Sequence, residues 1–522
     1  MKKSKIIITC FATLLLVAGC RDRATNTKGP AKQTPTDIPE LPYVLEGDYS
    51  PEPDVMYKVL IGVDTCFVMI DSMDEETLHG HYYQVNASSD SVHSLPFDYD
   101  RHWRDRRKEA SVYIYQEPEY EPEDDALYRL PKYKVRVQKD IEYGQALGYW
   151  CSNEVAGDDS YLKIVTDKLT SSVIRTTQSL TMDVYSPVTD DSIPKRHPLL
   201  LLLHGGGFYV GDKQDSCIRA LCRYFAQTGY VAVSANYLMG FLPSKKEIER
   251  AGYMALQDAH AAMRYLVEHA ADYGIDTAQL FVGGASAGAI TALNLAFMRD
   301  NDRPRSASGN RSRDLGSIAA SGNSSKATFR IRGVANLWGA VNNLKILGNS
   351  KTAIVSFHGD ADQVVPYDNG YPFSDISAQL GRRMFERMYG SKQIDLRANE
   401  LGYHSKLYTY SGEGHSLHHN ADGSWNQKNW KSIRDRMSLF FYDEIAGPRP
   451  KIVADSNDSR HFYIDMETAH DVRWHVIGGF ILKVSDHDIW VVWRDDEPLH
   501  MIKASGKNER DFGFNDKKAI DK

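Results

Sequence analysis

Four short stretches carry residue types suited to nucleophilic catalysis, and they fall in a workable order along the 522-residue chain. "HGGGF" (His204 to Phe208) directly follows the apolar run Leu199 to Leu203. Consecutive glycines let the backbone aim N–H groups at one point. Such donors stabilise an oxyanion, and a single one is typically worth about 10²–10³ in rate. Gly284-Ala285-Ser286-Ala287-Gly288 then reads G-x-S-x-G. Its small residues permit a sharp strand-to-helix turn that lifts the serine hydroxyl above a sheet edge. The same residues, taken alone, equally suit a helix packed closely on a strand. "HGDADQVVP" (His358 to Pro366) offers the acids Asp360 and Asp362, and "SGEGHSL" places His415 in a glycine-bounded loop. A nucleophile needs a base, and the base needs an acid that fixes its tautomer and stabilises the imidazolium.

The elements around these stretches must hold them in place. "HPLLLLL" and "GYVAVSANY" are strand-length apolar runs, as expected of strands buried on both faces. "QLFVGG", "GVANLWGAV", "TAIVSFHG" and "SKLYTYSG" supply further strands. "LQDAHAAMRYLVEHAADYG" puts Leu256, Ala259, Met263, Leu266 and Ala270 on one helical face and ends near Gly274. Strand–helix alternation of this kind predicts an α/β layer fold from residue 132 to 447. Between Arg299 and Ala327 lies a Ser/Gly/Arg-rich insertion without a period, expected to be either disordered or a cover over the active site. Residues 50–131 ("VMYKVLIGVDTCFVMI", "SVYIYQ") and 448–522 ("WHVIGGFILKVSDHDIWVVWRDD") have β texture, and their likeness suggests one composite β module.

The joint pattern resembles an α/β-hydrolase of the carboxylesterase/lipase type, close to the "HGGG" esterases. The order Ser…Asp…His is the one those enzymes use. "LTMDVYSP", "VSANY" and "QDAHAAMRYLVEHAADYGID" are also similar to segments that flank their oxyanion strand and elbow. The resemblance spans residues 132–447. It implies an α/β-hydrolase fold, a mostly parallel sheet with helices on both faces, and β-rich regions at either end. It implies Ser286 as nucleophile, His415 as general base and Asp362 as its orienting acid, with Asp360 second. It implies an oxyanion hole from the amides of Gly206, Gly207 and Ala287. No cofactor is expected. His415, His418 and His419 cluster in sequence, but without a matching carboxylate or cysteine group, so no metal is assigned.

The N-terminus indicates an address. "MKKSKIIITCFATLLLVAGC" has a Lys-rich start and an apolar run too short to span a bilayer comfortably, so residues 1–20 read as a signal peptide. "LVAGC" resembles the lipobox of bacterial lipoproteins, which implies acylation at Cys20. Residues 21–49, rich in Pro, Thr, Lys and Asp, read as a flexible tether. The expectation is a cell-envelope protein held to a membrane by its N-terminal lipid, at the outer membrane or cell surface. A net charge of −7 and pI near 6.2 argue against a nucleic-acid partner. Arg101 to Lys108 is a basic run interrupted by Asp105 and reads as a solvated loop. Of the cysteines beyond residue 20, Cys217 and Cys222 point in different directions on a helix, and buried thiols are the default. A Cys66–Cys151 bridge remains open.

These features point to a serine esterase acting on a small-molecule or polysaccharide ester, with acetyl or feruloyl groups as candidate acyls. One alternative is a prolyl-oligopeptidase-type peptidase. It is disfavoured because fewer than about 110 residues lie between tether and residue 132, too few for a propeller at about 40–50 residues per blade. Another is a binding lipoprotein with an inactive hydrolase domain.

Overall fold

The computed structural model describes residues 56–61, 64–73, 77–85, 90–100, 111–115, 120, 127–152, 174–189, 196–309, 312–374, 384–420 and 422–520. The signal and tether segments, with Cys20, lie outside the described residues. The chain forms two compact units. One is Ala126–Gly447, and the other combines residues described before 126 with those after 447. The α/β unit thus begins before residue 132. Its first turn is tied down by amide bonds from Tyr128 to Thr228 O (2.9 Å) and from Lys132 and Tyr133 to Gln227 O (2.7 and 2.9 Å).

An eight-stranded sheet organises the α/β unit. Its strands in chain order are β1 (Lys134–Gly148), β2 (Thr176–Val188), β3 (His197–Leu203), β4 (Val231–Ala235), β5 (Ile275–Ala285), β6 (Gly333–Leu337), β7 (Ala353–Gly359) and β8 (Ser405–Tyr410). Across the sheet they run β8-β7-β6-β5-β3-β4-β2-β1. β3 to β8 are parallel, while β2 is antiparallel to both β1 and β4. The longer helices are α1 (Ser216–Thr228), α2 (Lys245–Glu268), α3 (Ala287–Phe297), α4 (Ser391–Glu400) and α5 (Gln427–Ala446).

The side-chain period of two explains why β3 is apolar throughout. Leu199, Leu201 and Leu203 join the core that contains Leu256 and Met263 of α2 and Leu293 of α3. On the other face, Phe281 of β5 packs against Phe441 of α5 and Tyr230, with ring centroids 4.6 and 6.2 Å apart. Both faces of the central strands are covered, and all five leucines of β3 are fully buried. Each such side chain is worth roughly 1.5–3 kcal/mol of burial.

The predicted apolar stripe lies on α2 as far as Leu266, while Ala270 falls on a separate one-turn helix, Ala270–Tyr273, that ends at Gly274. α2 also starts earlier, at Lys245, where Ser244 caps it by accepting the amide of Glu247 (3.2 Å). α2 also carries a polar stripe with seven-residue spacing: Arg250, Gln257 and Arg264. Its long side chains grip the backbone of the insertion. Arg250 donates to Ser306 O and Arg313 O, Gln257 to Leu315 O and Ser317 O (all 2.7 Å), and Arg264 to Ala319 O (2.7 Å) and Ser321 O (3.0 Å). Gly322 then docks on the edge of β1, accepting the amide of Gln145 (2.7 Å). The described part of the insertion is therefore ordered and strapped to α2. Among its described residues, only Asp302 and Pro304 reach the lining of the main cavity, so the described part does not cover it.

The other unit is all β. Antiparallel strands from the N-terminal side share one core with strands Gly479–Val484 and Asp488–Arg494 from the C-terminal side, while Trp474 and Val476 of His470–Ile477 pack in a second core made of C-terminal residues. Phe67 stacks on Phe480 (4.2 Å, 10°), and Ser91–Val92 pairs with the strand that ends at Arg494. Cys151, Cys217 and Cys222 are free thiols, so the Cys66–Cys151 bridge is not formed. Burial pushes the Cys151 thiol up to about 11 and those of Cys217 and Cys222 well above their usual range.

Asp258, on the buried face of α2, accepts the amide of Leu238 just after β4 (2.9 Å). Burial raises its carboxyl to about 7. The native state then binds a proton that the unfolded chain releases near pH 4, so stability falls as pH rises. The unfolding free energy of the α/β unit should decline between about pH 4 and 7 and then level off. Asp258→Asn should flatten that slope in denaturant titrations, and an unchanged slope would contradict the assignment.

Candidate active site

Ser286 sits between β5 and α3 with φ 54° and ψ −118°, a left-handed conformation that costs a non-glycine residue about 1–3 kcal/mol. Hydrogen bonds hold the turn: Ser286 N–H donates to Leu337 O (2.9 Å) and Ile290 N–H to Ser286 O (3.0 Å). The glycines on either side are there for close approach. A Cβ on Gly288 would fall on the carbonyl oxygens of Leu203 and His204, and one on Gly284 would meet Gly288 and Leu203 O. The elbow is thereby pressed against the end of β3, where the glycine loop begins.

That loop is folded tightly. Gly206, Gly207 and Phe208 have φ of 106°, 60° and 60°, and Gly206 O accepts the amides of Tyr209 and Val210 (both 3.0 Å). His204 is fully buried and stacks on Tyr237 (4.3 Å, 11°). Its Nδ1 donates to Gly205 O (2.8 Å), while the Tyr237 hydroxyl donates to His204 O (2.7 Å). A Cβ on Gly205 would stand 3.4 Å from Ser286 Cβ, so the loop lies directly beside the serine. Further on, buried Lys213 pairs with Asp183 and Asp140 (both 2.8 Å). Burial alone would lower that ammonium, yet the two carboxylates raise it. Asp140 reaches Lys213 from an irregularity in β1, where its φ is 56°.

The three side chains named from sequence come together. His415 Nε2 is 2.9 Å from Ser286 Oγ, and His415 Nδ1 is 2.7 Å from Asp362 Oδ2. Asp362 follows β7, His415 follows β8, and Ser286 follows β5, so parallel strands present all three at their C-terminal ends. Asp360 goes elsewhere and accepts the amide of Gly412 (2.6 Å). Burial would raise the Asp362 carboxyl, but the hydrogen bonds it accepts from His358 and His415 hold it well below the usual carboxylate range. Its Oδ1 accepts the amides of Val364 (2.8 Å) and Val365 (3.0 Å).

Ser286 opens into a cavity of about 1130 Å³, which Gly206, Gly207 and Ala287 also line. Ala287 is the first residue of α3, where a helix N–H has no intrahelical acceptor. Phe208, Trp338 and Phe373 give the cavity apolar walls, and Lys245 pairs with Glu386 (3.5 Å) at its edge. His418 and His419 do not join the triad. His418 stacks on Trp338 (5.4 Å, 10°), and burial with the neighbouring His419 pushes it down to about 4. Three polar residues that bear on the site escaped sequence reasoning: His358, Ser391 and Asn336. The four-residue step from His358 to Asp362 was the one signal available for them.

The strand order, the strained serine elbow and the hydrogen bonds behind it give the Ala126–Gly447 unit an α/β-hydrolase fold in which Ser286, His415 and Asp362 form one hydrogen-bonded line. Residues 182–356 match the BD-FAE family model, a stretch that includes the glycine loop and elbow and stops short of Asp362 and His415. Among curated proteins, gut esterase 1 of Caenorhabditis briggsae is 30% identical over 120 residues, 23% of this chain and 21% of its own length. Lipase 2 of Moraxella sp. is 28% identical over 181 residues (33% and 38%), and acetyl esterase of Salmonella schwarzengrund is 32% identical over 125 residues (23% and 34%). The chain thus spans less than two-fifths of the length of these relatives. The α/β-hydrolase fold and the likeness to carboxylesterases are borne out.

Asp362→Asn should lower kcat by about 10³–10⁴-fold, because an amide no longer holds the productive imidazole tautomer. Asp360→Asn should stay within about threefold of wild type. Steady-state rates for the two variants check this, and the reverse ranking would overturn the assignment of the acid.

Proposed function

We propose that this protein is a serine carboxylesterase of the bacterial cell envelope that cleaves acyl esters through an acyl-enzyme at Ser286. The observation that carries the reading is the unbroken hydrogen-bond line from Ser286 Oγ through His415 to Asp362 beside a glycine-rich loop.

The chemistry follows from the geometry. His415 Nε2 takes the hydroxyl proton as Ser286 Oγ attacks the ester carbonyl. The negative charge of the tetrahedral adduct falls to the amides of Ala287, Gly206 and Gly207. The C–O bond to the alcohol breaks, and the imidazolium gives its proton to the departing oxygen. Water then enters and His415 takes one of its protons as the oxygen attacks the acyl carbonyl; the bond to Ser286 Oγ breaks, the imidazolium returns the proton to Oγ, and a carboxylic acid leaves.

The cavity's size favours a bulky ester over a small one. At about 1130 Å³ it lies just above the usual range of ligand sites, about 300–1,000 Å³. Acetyl or feruloyl groups on polysaccharide are the substrates we favour, supported by the names acetyl esterase and lipase among the relatives and by the envelope address. That address rests on Leu16 to Cys20. Detergent-phase partitioning that ignores Cys20→Ser would sink it.

Hydrolysis of p-nitrophenyl acetate, of acetylated and feruloylated oligosaccharides and of a proline p-nitroanilide separates the readings. The esters should be turned over, with at least about 10³-fold loss in Ser286→Ala, and the anilide should be inert. Activity on the anilide alone would point to a peptidase.

A further inference from the structure

The triad carboxylate is shared between two imidazoles. Asp362 Oδ2 lies 2.7 Å from His415 Nδ1 and 3.1 Å from Nε2 of His358, a fully buried residue of β7. His358 Nε2 also stands 3.3 Å from Val365 O. A carboxylate oxygen and a carbonyl both accept, so Nε2 carries the proton.

The other edge of the ring agrees. His358 Nδ1 is 2.7 Å from the hydroxyl of Ser391, the first residue of α4 and also fully buried. Asn336 Nδ2 donates to that hydroxyl (2.9 Å) and to Ser356 Oγ (3.1 Å), while Asn336 Oδ1 accepts the amide of Gly339 (2.9 Å). The amide orientation of Asn336 is therefore fixed, and Ser391 has its own proton left to give. Polarity runs one way: Asn336 N–H to Ser391 O–H, Ser391 O–H to His358 Nδ1, His358 Nε2–H to Asp362.

We propose that His358 is a positioning residue of the triad, a neutral imidazole of locked tautomer whose second hydrogen bond fixes the Asp362 carboxylate and spreads its charge. This rests on the serine-hydrolase reading above. With Oδ1 taken by two backbone amides and Oδ2 by two imidazoles, less of the anion's charge remains to stabilise a protonated His415. The remaining titratable neighbours are Tyr367, edge-on to His358 (5.6 Å), Asp360, bound to the Gly412 amide, and His418 beside His415. None of them is altered by the variants below. His358 does not line the cavity, so it acts through Asp362 and not on substrate.

The test compares His358→Leu, which removes the donor, with His358→Gln, whose amide N–H reaches the place of Nε2–H, and with Ser391→Ala. Readouts are the pH profile of kcat/KM for p-nitrophenyl acetate, the separate kcat and KM, and the titration of the low-field His415 Nδ1–H proton resonance. In His358→Leu the acidic limb should move up by about 0.5–1 pH unit, with kcat reduced about tenfold or more and KM within about twofold. Glutamine should restore the limb to within about 0.3 unit, and Ser391→Ala should shift it up by less than leucine does. If the leucine variant does not fold, glutamine and Ser391→Ala carry the comparison. An unmoved limb in the leucine and Ser391 variants, or glutamine no better than leucine, would overturn the proposal. Should the wild type hydrolyse no ester, the esterase reading fails. The resonance titration then still decides the positioning role.

Discussion

The site depends on how closely the backbone around Ser286 lies against the end of β3. Gly288 sits where any Cβ would strike the carbonyl oxygens of Leu203 and His204. Only that approach sets the serine beside Gly205 and puts the first amide of α3 and the glycine loop on one cavity wall. The conformation is strained, and it persists because the surroundings over-determine it. Ser286 N–H is bound to β6, the elbow abuts β3, and α3 is buried between α2 and the sheet.

From this constraint the rest of the design can be ordered. Buried parallel strands fix the elbow from below and present Asp362 and His415 from the two strands on its far side. On its other side, Lys213 with Asp140 and Asp183 anchors the loop that follows the glycines. The carboxylate is the most heavily bonded group of the site, which matches its role: it must stay ionised while buried, and burial alone opposes that. Strapping the insertion to α2 leaves the cavity open to ligand, with the insertion's own polar backbone satisfied by arginine and glutamine side chains.

Much of this was legible in the sequence because the relevant signals are local. The glycine loop, the elbow, the acid pair and His415 each follow a recognisable apolar run, and the strands are where those runs are. Choosing Asp362 over Asp360 needed a resemblance, since both follow the same strand, and the structure shows the physical reason: Asp360 caps a turn at Gly412. The support of the carboxylate was illegible for the opposite reason. Asn336, Ser356, His358 and Ser391 come from β6, β7 and α4, and only sheet register brings them together. The insertion was misjudged because a segment without period says nothing of what the neighbouring helix offers it. The stripe Arg250, Gln257, Arg264 was visible at seven-residue spacing, but on a helix otherwise read by its apolar face.

The reactivity proposed for Ser286 as a nucleophile comes from this geometry. It is tested most directly by labelling the purified protein with a fluorophosphonate and mapping the adduct by peptide mass spectrometry. One modified residue is expected, Ser286, with labelling abolished in Ser286→Ala and slowed in Asp362→Asn. An unlabelled wild type, or an adduct that persists elsewhere in Ser286→Ala, would contradict it.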